Sequence, residues 1–159
     1  MEDIFDLVTQ SSRGALPAVL EDLNAVTAQY GLFLTLGQLG ALTERRNEAL
    51  LSTGRLEFRH GVVGKLIVAF CDSAYIDQNN YEETISALID SFYYFKNESE
   101  DLLSDDELIE RMRLYFETVC QGSLDYLNGT SLETLCRLTR HGADPDAAAY
   151  DPDEEEELF

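Results

Sequence analysis

Between Val19 and His141 the apolar residues recur mostly in steps of three and four, with glycines and capping residues between the runs. That spacing predicts a series of helices. Pro17 suits a first helical turn, and behind it Val19, Leu20, Leu23, Val26 and Tyr30 share a face until Gly31. Thr35 caps the next stretch, through Leu36, Leu39, Leu42, Ala49 and Leu50 to about Thr53, with Gly54 as its stop. Gly37 and Gly40 weaken that helix by about 1 kcal/mol each, or permit close helix contact. Val62 to Cys71 is apolar almost all round and predicts a central buried helix, with a strand as the alternative at this length.

Asn79 or Asn80 caps a helix through Ile85, Leu88, Ile89, Phe92 and Phe95. Ser104 with Glu107 makes a capping box. Leu108, Met112, Tyr115 and Val119 share one face behind it, flanked by Ile109, Phe116 and Cys120. Asp105, Asp106 and Glu107 stand in the first turn, where the helix dipole favours negative charge. Thr130 with Glu133 predicts a second box, opening a last helix from Ser131 to about His141 that Gly142 ends. Leu32–Leu34 and Leu56–Phe58 read as short extended segments able to pair. The expected fold is an all-α bundle of five to seven helices, with at most this two-stranded patch. No solenoid repeat is evident.

Composition sets the scale. The 159 residues include eight Phe and eight Tyr and suit one domain of ordinary size. The helical domain spans 1–142. Residues 143–159, with two prolines, eight acids and no apolar periodicity, predict a disordered acidic tail. Met1 is followed by acids, with no basic n-region, and no apolar run approaches a membrane span. These features predict a cytoplasmic protein. Three cysteines, Cys71, Cys120 and Cys136, without a CxxC spacing, do not make a disulfide framework.

The formal net charge of −20 disfavours nucleic acid and anionic membrane as partners and suits a basic protein, a polycation or a metal cation. The charge is uneven. Residues 1–71 carry a net −2, residues 72–110 a net −11 with Lys96 as the one base, residues 111–142 a net +1, and the tail −8.

Candidate chemistry is sparse. Asp72 to Glu83 fails as a calcium loop, because Ala74, Ile76 and Asp77 occupy its third, fifth and sixth positions. Cys71 and Asp72 could be joined by His60 in a metal site, but no close ligand spacing supports one, and no cofactor is implied. Cys120 is the best nucleophile candidate, yet a predicted helix C-terminus raises a thiol's pKa. Of Arg45, Arg46, Arg55 and Arg59, Arg55 beside Glu57 is placed either to pair with the acids that follow or to bind an anion. Phe92, Tyr93, Tyr94 and Phe95 circle a whole helix turn, so one or two tyrosines must reach the surface or a partner.

The strings TGRLEF (53–58), FCDSAYI (70–76), FYYFKNE (92–98), DDELI (105–109) and CQGSL (120–124), in that order, resemble a family of small bacterial proteins of unknown function. The resemblance covers most of residues 17–136 and leaves the tail outside. It implies a bacterial cytosolic origin and assigns no activity, cofactor or catalytic residue. The leading expectation is a non-catalytic module that binds a protein partner through 72–110, the surface tyrosines and the tail. The alternative is a ligand-binding or enzymatic pocket at Arg55, Glu57, Asp72, Tyr75 and Cys120. A DNA-mimicking acidic protein is a third, minor reading.

Overall fold

The computed structural model describes residues 4–57 and 61–143, with residues 4–15 as helical backbone alone. The expected disordered tail falls outside them from residue 144 onward, as do Phe58 of the second extended segment and His60. The chain is all-α. Among the described residues there is no strand, and no helix is long and apolar enough to cross a membrane. The chain divides into two compact units, one up to Tyr94 and one from Phe95.

The first unit is built from α1 (Ile4–Thr27), α2 (Leu36–Thr53), α3 (Val63–Phe70) and most of α4 (Tyr81–Glu98). Pro17 does not open α1 but lies inside it. A proline there forfeits one backbone hydrogen bond. The buried face of α1 is Leu16, Leu20, Asn24 and Thr27, while Val26 and Tyr30 of the expected face are exposed. Gly31, at φ +79°, stops the helical turn that follows, as expected. Thr35 caps α2 in a box completed by Gln38. Neither Gly37 nor Gly40 is a close-contact glycine: a Cβ on Gly40 would meet nothing within 4 Å, and one on Gly37 only Thr35 Oγ1 at 3.9 Å. Gly64 stands where α3 passes α1, and a Cβ there would make an ordinary contact with Leu23 Cδ1 at 3.4 Å.

The expected strand pair is absent, and its hydrogen bonds are made by side chains. Residues 32–34 lie outside the helices with Leu32 and Leu34 buried, and every backbone N–H and C=O there must find a partner. Leu32 N–H donates to Thr27 O, and Thr27 Oγ1 donates to Leu32 O, 3.0 Å. Asn24 takes both polar groups of Leu34, at 2.9 and 3.0 Å. Gln78 takes both polar groups of Phe33, each at 2.8 Å. Two side-chain amides thus replace a neighbouring strand, which is why polar Asn24 and Thr27 stand on the buried face of α1. Asn80, the expected cap of α4, accepts from Thr84 N–H with its carbonyl. Its side chain instead binds Asp77 N–H and Tyr75 O, ordering the loop before the helix.

The second unit carries the end of α4, α5 (Asp105–Glu117), the single turn α6 (Leu124–Tyr126) and α7 (Leu132–Arg140). The capping box of Ser104 and Glu107 forms as expected. The buried face of α5 is Leu108, Ile109, Met112 and Phe116 rather than the face through Val119, which is exposed. α5 ends at Glu117, before Cys120. The second capping box does not form. Ser123 caps α6 instead, and Leu127–Ser131 continues as a π turn into α7, with Leu132 N–H bonded to Leu127 O. Because the chain is already helical before Thr130, no free helix start remains for it to cap. The loop between α4 and α5 holds Glu100 and Asp101 at φ +56° and +59°. Buried Lys96 spans that loop, donating to Leu103 O at 2.5 Å and pairing with Asp105 at 3.0 Å.

Asn24→Ala strips the buried N–H and C=O of Leu34 together and is expected to cost about 2–4 kcal/mol in denaturant unfolding. Gln78→Ala, whose bonds to Phe33 lie open to water, should cost under about 1 kcal/mol.

Candidate functional site

On α2 the residues Leu39, Leu42, Arg46 and Ala49 fall on one buried stripe. A guanidinium in that position needs a carboxylate close by. The chain supplies one by turning back. Gly54, in the left-handed region at φ +69°, ends α2, and Arg55 N–H bonds to Leu50 O. Glu57 then lies against the helix it has just left. Its Oε1 accepts from Arg46 Nε at 2.9 Å, with Arg46 1% exposed and Glu57 14%. The Tyr93 hydroxyl, from α4, donates to the other carboxylate oxygen. Asn47 Oδ1 receives Arg46 Nη1 at 3.4 Å, while the Asn47 Nδ2, also buried, has no acceptor.

Two further features fix this cluster. Tyr93 packs edge-on against Phe92, with ring centroids 5.2 Å apart. Gly61 adopts φ +69°, and a Cβ there would stand 1.8 Å from Glu57 Oε1. Glycine is therefore required by both the backbone angle and the space. Burial, and next the Glu57 charge, push the Tyr93 phenol far above its ordinary range, so it stays a hydrogen-bond donor.

Of the residues proposed from sequence, Glu57 and Tyr93 are brought together. Arg55 is half-buried, and Asp72, Tyr75 and Tyr94 are exposed. These six belong to the first unit and Cys120 to the second. Cys120 lies just past α5 with its Sγ 3.4 Å from Ser131 Oγ, and burial pushes the thiol up. Burial pushes Cys136 up to about 11, and its thiol faces Phe95 O. All three cysteines are buried and none forms a disulfide. With their thiols pushed up by burial, Cys120 and Cys136 are poor nucleophiles at neutral pH. Among the described residues no three His, Cys, Asp or Glu side chains are grouped to hold a metal ion.

Sequence reasoning missed Arg46 and Asn47. The signal was present for Arg46, because a charge in phase with Leu39, Leu42 and Ala49 must be buried or must interrupt the stripe.

A family model matches residues 19–145. The chain belongs to a family of unknown function (DUF6323). No curated protein and no solved structure matches it. The family span takes in Arg46, Asn47, Glu57, Gly61 and Tyr93 together, and stops before the acidic run at 151–157.

Glu57→Ala leaves Arg46 in the core without this carboxylate and is expected to lower the unfolding free energy by about 3–5 kcal/mol at pH 7. The double change Arg46→Met with Glu57→Leu should recover most of that loss. Tyr81 provides a separate check at high pH. It is 1% exposed, with its hydroxyl near Thr27 but without a well-formed hydrogen bond, and burial pushes it from 10.0 up to about 12. Below pH 10 the phenol is neutral whether the chain is folded or unfolded. Between pH 10 and about 12 the unfolded chain ionises first, so the folded state loses stability as pH rises. Tyr81→Phe should remove that part of the decline in unfolding free energy between pH 10 and 12. At pH 7 it should stay within about 1 kcal/mol of the wild type.

Proposed function

We propose that this chain is a non-catalytic interaction module of the bacterial cytosol, which receives a basic protein segment on residues 72–110. One observation carries this reading. None of the twelve acids in that stretch is buried, whereas Lys96, its one base, is turned inward onto Leu103 O and Asp105. With Lys96 and Asp105 paired, the stretch still carries a net −11, on acids that are all exposed or half-buried. A field of one sign steers oppositely charged partners and favours them over others.

The exposed tyrosines add a second kind of contact. Tyr75 is 40% and Tyr94 51% exposed. Their ring faces suit lysine and arginine side chains through cation–π attraction. The side chains best suited to chemistry support the same reading. Glu57 is held by Arg46 and Tyr93, and the Cys120 thiol is buried and kept protonated.

An oligolysine peptide titrated into the full chain tests the proposal. Binding should weaken steeply as salt rises. The combined change Asp72→Asn, Asp77→Asn and Glu83→Gln should weaken it further. Tyr94→Ala or Tyr75→Ala should each cost about fivefold, the effect of losing an aromatic contact worth about 1 kcal/mol. Tyrosine variants that bind as the wild type does would reduce the effect to that of any polyanion and end this reading.

A further inference from the structure

The cluster around Arg46 offers a buried donor that its internal ligand leaves unused. Arg46 Nε and the Tyr93 hydroxyl converge on the Glu57 carboxylate, and the neighbouring Asn47, 7% exposed, keeps its Nδ2 without an acceptor. A buried donor left in this state carries a standing penalty, which a ligand with a further oxygen would relieve. A carboxylate has two oxygens; a phosphate has four. Gly61 leaves bare backbone over the carboxylate, since a side chain there would collide with Glu57 Oε1. Glu57 itself is not part of a helix, and its side chain, 14% exposed, is more accessible than that of Arg46 at 1%. Its side chain can turn out without unwinding an element.

We infer that Arg46, Asn47 and Tyr93 form a recessed oxyanion cradle, which Glu57 fills as an internal ligand and which a phosphate or phosphomonoester enters by displacing it. Arginine recognises planar and tetrahedral oxyanions alike through its N–H fork, and a neutral tyrosine and amide complete the donor set. The internal carboxylate makes the cradle a competitive one. An incoming ligand sees only the fraction of molecules in which Glu57 has turned away, and its apparent affinity is lowered by that fraction. The net charge of −20 opposes any anion, so added salt should help this binding by screening. That sign is opposite to the one expected for a basic peptide on residues 72–110, and the two sites are told apart by it.

The test uses the full chain and inorganic phosphate, read by calorimetry and phosphorus NMR, with acetate at matched ionic strength as the comparison anion. The wild type should bind phosphate weakly. Glu57→Gln, which keeps the size and removes the charge, should bind it about tenfold or more tightly, by the fraction of cradle it frees. Adding Asn47→Ala should return the affinity to near the wild-type value. Binding no tighter in Glu57→Gln than in the wild type, acetate matching phosphate, or no effect of Asn47→Ala would each overturn the inference. If Glu57→Gln does not fold, Asn47→Ala in the otherwise wild-type chain decides: loss of the weak phosphate binding supports the cradle, and binding unchanged by Asn47→Ala, or no phosphate binding by the wild type, rejects it.

Discussion

A guanidinium in a core of leucine and phenylalanine must be neutralised where it stands, and in the first unit that requirement organises everything near it. Arg46 is 1% exposed, and its charge is met by Glu57, which reaches it because Gly54 reverses the chain directly after α2. Tyr93 binds the second oxygen of the same carboxylate and so ties α4 to the turn. Gly61 has no side chain because the carboxylate occupies the space one would need. Desolvating both charges offsets much of what the ion pair gains. The return is specificity of arrangement: the pair forms in one register of turn, helix and phenol.

The second unit meets the same kind of requirement with a different cation. Lys96 lies buried at the end of α4 and is answered by a carbonyl of the next loop, Leu103 O, and by the carboxylate of Asp105 at the start of α5. That loop passes through two residues in the left-handed region, Glu100 and Asp101, neither of them glycine. Such conformations persist where surrounding bonds overdetermine them. Here Asp101 N–H bonds to Lys96 O, so the lysine grips the loop by its backbone and its ammonium together. The consequence reaches the surface, because the one base of residues 72–110 is turned inward while its acids are exposed or half-buried.

The elements most legible in the sequence were those whose signals are local. The cap at Thr35, the capping box at Ser104, the stops at Gly31 and Gly54, and the apolar run of α3 each depend on a few adjacent residues. Signals that depend on distant partners were read less well. Asn24 and Thr27 look like interruptions of a helix face until Leu32 and Leu34 are seen to need their hydrogen bonds. Leu32–Leu34, expected as half of a strand pair, lies outside the helices and forms no strand; its partners are largely side chains, which no strand pattern reveals. In the candidate site, Glu57 and Tyr93 were identified, while Arg46 was passed over for Arg55. Proximity in sequence favoured Arg55; burial on a helix stripe, a tertiary property, selected Arg46.

The π turn at Leu127–Ser131 looks in the sequence like a break, an Asn-Gly-Thr stretch between two helices. In the fold it acts as a phase corrector. Leu127 and Leu132 are both fully buried, as is nearly all of Leu135. Five residues along a regular α-helix rotate a side chain by about 140° from its starting direction, so a straight helix would send one of the two leucines toward solvent. The wider turn takes up that offset and brings both onto one side, with Gly129 and Thr130 exposed on the bulge. The irregular triplet thus works as a gear between two apolar stripes that are out of step.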